Sequence, residues 1–270
     1  MKRFLFFTLC ILIFSSCEKF SFQIENLNND EIQVLGHAGM GIHSLLPMNS
    51  LESIERCVDT GSDGTELDVQ LTKDGYLVAY HDENLTESTC GSGLIRSANW
   101  EDLANVCYTD YNIISNYRLM LVSEIIEAYS ELIFSFDCKL YTDEEDMEAY
   151  FEEYSSALSN LTEDLGSNCF IESQDAQFLA LFKDKSPSSQ LLYYPTNFEA
   201  GLEVALVNGF HGLSIATDKI TEDEVELAHS NGLWVSLWNV HTRSRNKEAI
   251  LKSPDCIQAD KLSHLLNLLD

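Results

Sequence analysis

The sequence predicts an α/β fold: one closed barrel of parallel strands, each followed by a helix, with a small loop-rich insertion after the second strand region. Three observations predict it. Short apolar or β-branched runs alternate with helical stretches from residue 33 to the C-terminus. The 270 residues are 45% hydrophobic with only four prolines and 13 glycines, enough for a core of that size and unlike a disordered, collagenous or disulfide-scaffold chain. No Gly-x-Gly-x-x-Gly or phosphate-loop pattern follows any strand, which disfavours the alternative, an open doubly wound sheet. No internal repeat is present.

The elements follow in order. Gln33–His37 is a short strand and Asn49–Thr60 a helix, with Asn49 suited to cap it and Glu52 three residues on. Thr65–Leu71 and Leu77–His81 read as paired strands around Asp74-Gly75, a turn signal. A loop-rich insertion covers Glu83–Asn99, then a short helix starts at Trp100 and another surrounds Ser123–Tyr129. Leu132–Leu140 is a strand and Asp143–Leu165 an acidic helix. Strands at Cys169–Glu172, Gln190–Tyr194, Gly212–Ile215, Trp234–Val240 and Cys256–Gln258 then alternate with helices at Asp175–Lys183, Phe198–Asn208, Thr221–Ser230, Asn246–Leu251 and from Leu262. Such a series over this length is expected to close as a (β/α)8 TIM barrel, typically of about 250 residues.

The N-terminus reads as a targeting segment. Met1-Lys2-Arg3 is basic, Phe4 to Phe14 is apolar and too short to span a bilayer, and Ser15-Ser16 precede Cys17. Residues 1–16 are therefore expected to be a signal peptide. Small residues before a cysteine resemble a bacterial lipoprotein signal with Cys17 lipidated; a plain secretory peptide cut nearby is the alternative. Polar residues 17–31 would tether a domain spanning 32–270 to the cell envelope, on either membrane face. Of the six cysteines further along, Cys90 and Cys107 share the insertion and are the best disulfide pair for an oxidising compartment. With no Cys-x-x-Cys pair, structural zinc has little support. The 44 acidic and 16 basic residues give a net charge of −28, which repels nucleic-acid backbones but leaves room for a small anionic substrate beside a cation.

Chemistry concentrates between residues 37 and 82. In Gly64-Thr65-Glu66-Leu67-Asp68-Val69, strand alternation turns Glu66 and Asp68 to one face. Two carboxylates on a buried face need a proton or a hard cation, Mg2+ or Ca2+, between them. If Asp74-Gly75 form a two-residue hairpin loop, Lys73 faces Tyr76 and His81 lies opposite Asp68; a shifted turn places it opposite Glu66. A second imidazole, His37, sits in Gly36-His37-Ala38-Gly39, where glycines permit close approach of a ligand. Further along, Asp137 and Lys139 share a strand face, an acid for a cation and an ammonium for an anion. Each alone has a bland reading as a satisfied polar residue or a local ion pair; together they describe a site.

These residues are similar to the glycerophosphodiester phosphodiesterase signature. The likeness lies in His37-Ala38-Gly39, Asn49-Ser50, Gly64-x-Glu66-x-Asp68-Val69, Thr72-x-Asp74-Gly75 and His81-Asp82. It extends through Asp137-x-Lys139 to Gly232-Leu233-Trp234-Val235-Ser236-Leu237-Trp238. The family is a (β/α)8 barrel related to phosphatidylinositol-specific phospholipases C. The resemblance implies that Glu66, Asp68 and Asp137 hold one divalent cation, with Asp137 where the family usually has glutamate. It implies His37 and His81 as the acid/base pair, Lys139 on the phosphate, Trp238 as a pocket wall and Asn49 as a substrate-side residue. In the family the nucleophile is thought to be glycerol's own 2-hydroxyl, through a cyclic phosphate that water opens.

Two departures stand out. The family commonly has His-Arg-Gly and Pro-Glu-Asn, whereas this chain has His37-Ala38-Gly39 and Pro47-Met48-Asn49. A bidentate phosphate donor and an acid near the metal are lost. His43 either recovers part of that charge or is simply a loop residue. The expected activity is metal-dependent hydrolysis of small glycerophosphodiesters to glycerol 3-phosphate and an alcohol. The rival readings are a non-catalytic lipoprotein that binds a phosphorylated ligand and a phospholipase D-like variant acting on a phospholipid. The membrane is expected as a partner through the N-terminal lipid, nucleic acid is not, and the oligomeric state is open.

Overall fold

The structure, a computed structural model, describes residues 22–110 and 113–270. The signal segment and Cys17 lie outside the described residues. Residues from Phe22 onward include part of the expected tether, and they dock on the domain. Phe22 and Ile24 pack against the core, the Asn26 amide donates to Pro254 O at 2.8 Å, and Leu27 N–H donates to Asp255 at 2.7 Å.

The chain runs β1 (Gln33–Gly36), α1 (Leu51–Thr60), β2 (Gly64–Leu71) and β3 (Leu77–Ala79), then α2 (Trp100–Leu103), β4 (Cys107–Asp110), β5 (Ile113–Arg118), β6 (Met120–Leu121) and α3 (Val122–Ala128). Regular alternation follows: β7 (Ile133–Cys138), α4 (Met147–Thr162), β8 (Cys169–Ser173), α5 (Ala176–Lys185), β9 (Gln190–Tyr193) and α6 (Phe198–Asn208). The series ends with β10 (Gly212–Ala216), α7 (Glu222–Ser230), β11 (Trp234–Val240), α8 (Arg243–Ile250), β12 (Cys256–Ala259) and α9 (Leu262–Leu269). Strands β1, β2 and β7 to β12 pair in parallel, and β1 meets both β12 and β2, which closes an eight-stranded barrel. The α/β barrel expected from the alternation is therefore formed, and strands β3 and β6 extend it antiparallel from β2. The β4–β5 hairpin in the insertion was not legible in the sequence as strands.

Strand alternation sorts the barrel into two surfaces. Leu67 and Val69 of β2 and Phe134, Phe136 and Cys138 of β7 join the core beneath the helices. Their neighbours Glu66, Asp68, Ser135 and Asp137 therefore face the lumen. At the amino end the lumen is closed by Phe170, Leu192 and Trp234. Two residues further along β8, Glu172 accepts hydrogen bonds from Ser135 and from Gln258 at 2.6 Å. The lumen thus turns from apolar to polar along the barrel axis, so that every charge lies toward the carboxyl ends of the strands. Gly64 allows that closure: a Cβ there would lie 1.8 Å from Ile133 O.

Two local expectations need correction. The β2–β3 connection is one residue longer than the two-residue loop expected, and Val69 pairs with Ala79 and Leu71 with Leu77. Thr72 causes this, because its backbone N–H bonds Tyr76 O at 2.8 Å while its hydroxyl accepts from Tyr76 N and donates to Asp74. Gly75 then takes φ +86°, as a three-residue hairpin loop requires. Asp68 consequently faces Tyr80, and His81 lies beyond the strand end. The cap of α1 is Ser50, whose hydroxyl accepts from Ser53 N–H, and not Asn49. Asn49 is drawn elsewhere.

Candidate active site

Three acids meet at the mouth of the barrel. Asp68 and Asp137 are partners in the β2–β7 register, and Glu66, Asp68 and Asp137 each bring a carboxylate oxygen within 4.8 Å of the others. All three are buried. Lys139, just past β7, crosses the cluster and donates to Asp137 at 2.7 Å, with Asp68 at 3.1 Å. Burial opposes its charge, but Asp68 and Asp137 outweigh that and raise its pKa. The same geometry splits the acids. Burial, then the charges of Asp68 and Asp137, push Glu66 well up; burial also raises Asp137. Asp68 is lowered, since Lys139, His81, the Asn49 bond and His37 outweigh its burial.

One ammonium among three carboxylates leaves an excess of negative charge in a buried site. Oxygen-only donors at this spacing fit a hard divalent cation, which would remove that excess and restore Glu66 to the ionised form. Burial and like charge hold Glu66 up, and a divalent cation would offset both.

Backbone from the β1–α1 loop braces the cluster. Ala38 adopts φ +47° and its N–H donates to Glu66 Oε2 at 2.9 Å; Gly39 N–H donates to Thr65 Oγ1 at 3.0 Å. A Cβ on Gly39 would strike Ser53. Asn49, also at positive φ, donates from its amide to Asp68 Oδ2 at 2.7 Å and accepts from Asp68 N–H at 3.1 Å. Its side chain is thus engaged with a cluster acid instead of capping the helix.

The two imidazoles expected from the sequence are both at this mouth, and their charges act on Asp68. Each is anchored through Nδ1: His37 to Asp260 at 2.8 Å and His81 to Asp82 at 2.8 Å. An ionised carboxylate can only accept, so Nδ1 carries the proton in the neutral rings and Nε2 is the basic atom. The Asp82 bond raises the His81 pKa, and the same bond lowers Asp82. Ser88 and Tyr80 also donate to Asp82.

Several residues here carried no signal in the sequence. Asp260, beyond β12, receives His37 on one oxygen and His241 on the other. Burial alone would raise it, but the two histidines outweigh that and lower it. His37, His241 and Asp260 also form a compact group of potential ligand atoms. His43 is exposed, with its ring edge-on to His241 at 6.0 Å. Tyr194 packs on Trp238 with ring centroids 4.9 Å apart. Burial and the nearby Asp137 raise its phenol. Glu172, pushed up to about 7 by burial and Asp137, lies beneath them. Cys90 and Cys107 lie against each other as thiols: Cys107 N–H donates to Cys90 Sγ at 3.1 Å and Cys90 N–H to Cys107 O at 2.8 Å.

Residues 40–264 match the glycerophosphoryl diester phosphodiesterase family. The chain belongs to that family. A glycerophosphodiester phosphodiesterase of Caldanaerobacter subterraneus is 40% identical over 70 residues, 26% of this chain and 28% of that one. One from Bacillus altitudinis is 33% identical over 96 residues, 35% of this chain and 39% of that one. The chain thus aligns with less than half the length of these curated relatives. An Oleispira antarctica phosphodiesterase, solved with the product sn-glycerol-3-phosphate, superposes with a TM-score of 0.77 at 21% identity, covering 88% of this chain and 96% of that one. A glycerophosphodiester phosphodiesterase of Parabacteroides distasonis gives 0.73 at 21% identity, over 88% and 96%. These last two likenesses speak for the fold.

Proposed function

We propose that the protein hydrolyses glycerophosphodiesters to glycerol 3-phosphate and an alcohol. The observation that carries this is the pairing of two carboxylate-anchored imidazoles with three buried acids at one barrel mouth. Glu66, Asp68 and Asp137 would hold a single Mg2+ or Ca2+, which when bound supplies charge to the phosphoryl oxygens. Lys139 adds a positive charge beside the same oxygens, and Trp238 with Tyr194 walls the pocket. Asn49 serves the substrate by fixing Asp68. One Nε2 accepts the proton of glycerol's 2-hydroxyl as its oxygen bonds phosphorus. The P–O bond to the alcohol breaks with its electron pair on the alcohol oxygen, which the second imidazole protonates. Water then attacks the cyclic phosphate, giving its proton to the second imidazole. The P–O bond to the 2-oxygen breaks as the first imidazole returns a proton to that oxygen, leaving glycerol 3-phosphate. Asp260 and Asp82 hold the rings in the tautomer each role needs. Ala38 removes a guanidinium from the phosphate, so Lys139 carries more of the binding.

The same proposal covers the setting: lipidation at Cys17 after loss of residues 1–16, location at a bacterial envelope, and a Cys90–Cys107 disulfide in that oxidising space. The Cys107 N–H on Cys90 Sγ and the Cys90 N–H on Cys107 O support the last. Incubation with glycerophosphocholine, with Mg2+ or Ca2+ and with chelator, tests the activity by release of glycerol 3-phosphate. His37→Ala and His81→Ala are each expected to lower kcat about a hundredfold or more. Unchanged turnover in both variants would falsify the site, and ligand binding without turnover would favour a binding lipoprotein.

A further inference from the structure

The leaving alcohol is what the active-site acids do not specify. Beside them, between the β1–α1 loop and the insertion, lies a cavity of about 280 Å³. Ile42, Leu45, Leu46, Pro47 and Met48 line it from the loop, and Tyr108 of β4 from the insertion. His81 and Asp82 line the same cavity. The groove is therefore continuous with one imidazole of the site, that of His81.

Lining chemistry favours hydrocarbon. Among the described lining residues the carboxylate is Asp82, whose charge is taken up by His81 at 2.8 Å. The loop instead leaves Leu45 89% and Ile42 42% exposed, in a chain of net charge −28. Aliphatic side chains kept open beside a reactive group gain by covering with hydrocarbon.

We propose that this groove receives the hydrocarbon part of the leaving alcohol, so that the preferred substrates are glycerophosphodiesters of alkyl- or acyl-bearing alcohols. This rests on the phosphodiesterase reading and deepens it. His81 is then the acid: as the P–O bond to the alcohol breaks, the oxygen keeps the electron pair and takes the proton from His81 Nε2. His37 accepts the proton of the attacking hydroxyl.

The test is a series of glycerophosphoalkanols from ethyl to octyl, below their aggregation limits, compared with glycerophosphocholine. All give glycerol 3-phosphate, so one product assay serves for the series. In the wild type kcat/KM is expected to rise about threefold to fourfold per methylene until the groove is filled. Leu45→Ser and, independently, Leu46→Ser are expected to flatten that rise. A rate indifferent to chain length, or highest for choline, overturns the inference while leaving the phosphodiesterase reading intact. No turnover of any member overturns the reading itself and the inference with it. A chain-length dependence unchanged in both folded variants overturns the placement of the groove.

Discussion

At the scale of single residues, the site is organised by carboxylates that hold its imidazoles. Asp260 and Asp82 each fix a ring by its Nδ1, and Asp260 does so for two rings at once. Asp260→Asn keeps the shape but removes the charge that favours an imidazolium. It is expected to lower kcat about tenfold with little change in KM, as seen by steady-state assay. An equal loss with His241→Ala would instead point to the His241–Asp260 pair. Glu66, Asp68, Asp137 and Lys139 were legible because strand spacing turns each pair to one face, and His37 and His81 because they bracket the first pair in the chain. Asp260 was not: it stands 223 residues from His37, and a lone acid after a strand carries no local signature.

At the scale of elements, turns and ties decide where the motifs point. The β2–β3 loop expected as two residues is three, because the Thr72 hydroxyl and backbone both capture Tyr76. His81 reaches the acids all the same, from the loop after β3 and through its bond to Asp82. Arg96 holds this region to α4: its guanidinium donates to Thr72 O at 2.7 Å, pairs with Glu153 and Glu144, and lies over the Tyr150 ring. Arg96→Ala would leave the Thr72 carbonyl with only the Gly75 N–H at 3.2 Å and would remove both ion pairs. A loss of about 2 kcal/mol is expected by urea unfolding. A change within a few tenths would mean that the insertion is held elsewhere. None of this was visible beforehand, since Arg96 and Glu153 lie in segments read separately as loop and acidic helix.

At the scale of the whole molecule, burying acids in a barrel lumen couples stability to pH and to cations. Glu172 has its carboxyl pushed from the ordinary 4.5 to about 7. In that window the folded chain keeps a proton that the unfolded chain releases, so the share of stability that Glu172 contributes falls as pH rises from about 4.5 to 7 and is level above. The span corresponds to about 3 kcal/mol. Glu66 and Asp137, also raised, add a fall of the same sign, so Glu172→Gln is expected to make the fall shallower in metal-free protein, followed as Tm against pH; an unaltered curve would mean that Glu172 stays ionised. A bound cation acts on the folded state alone, so Mg2+ or Ca2+ at a hundred times its Kd should add about 2.7 kcal/mol. Chelator should reverse the gain, and a Glu66→Gln, Asp68→Asn double variant should not show it.

The sequence by itself determined the barrel and most of the site's membership. Hydrophobic periodicity is a local property that repeats with every β-α unit, and alternation along one strand settles which side chains share a face. What only the tertiary structure decided is the company those residues keep. Closure of β1 onto β12 carries Asp260 to His37, register between β2 and β7 sets Asp68 beside Asp137, and the insertion brings Tyr108 to the loop that carries Met48. These are meetings between segments remote in the chain, fixed by packing and closure, and no local pattern encodes them.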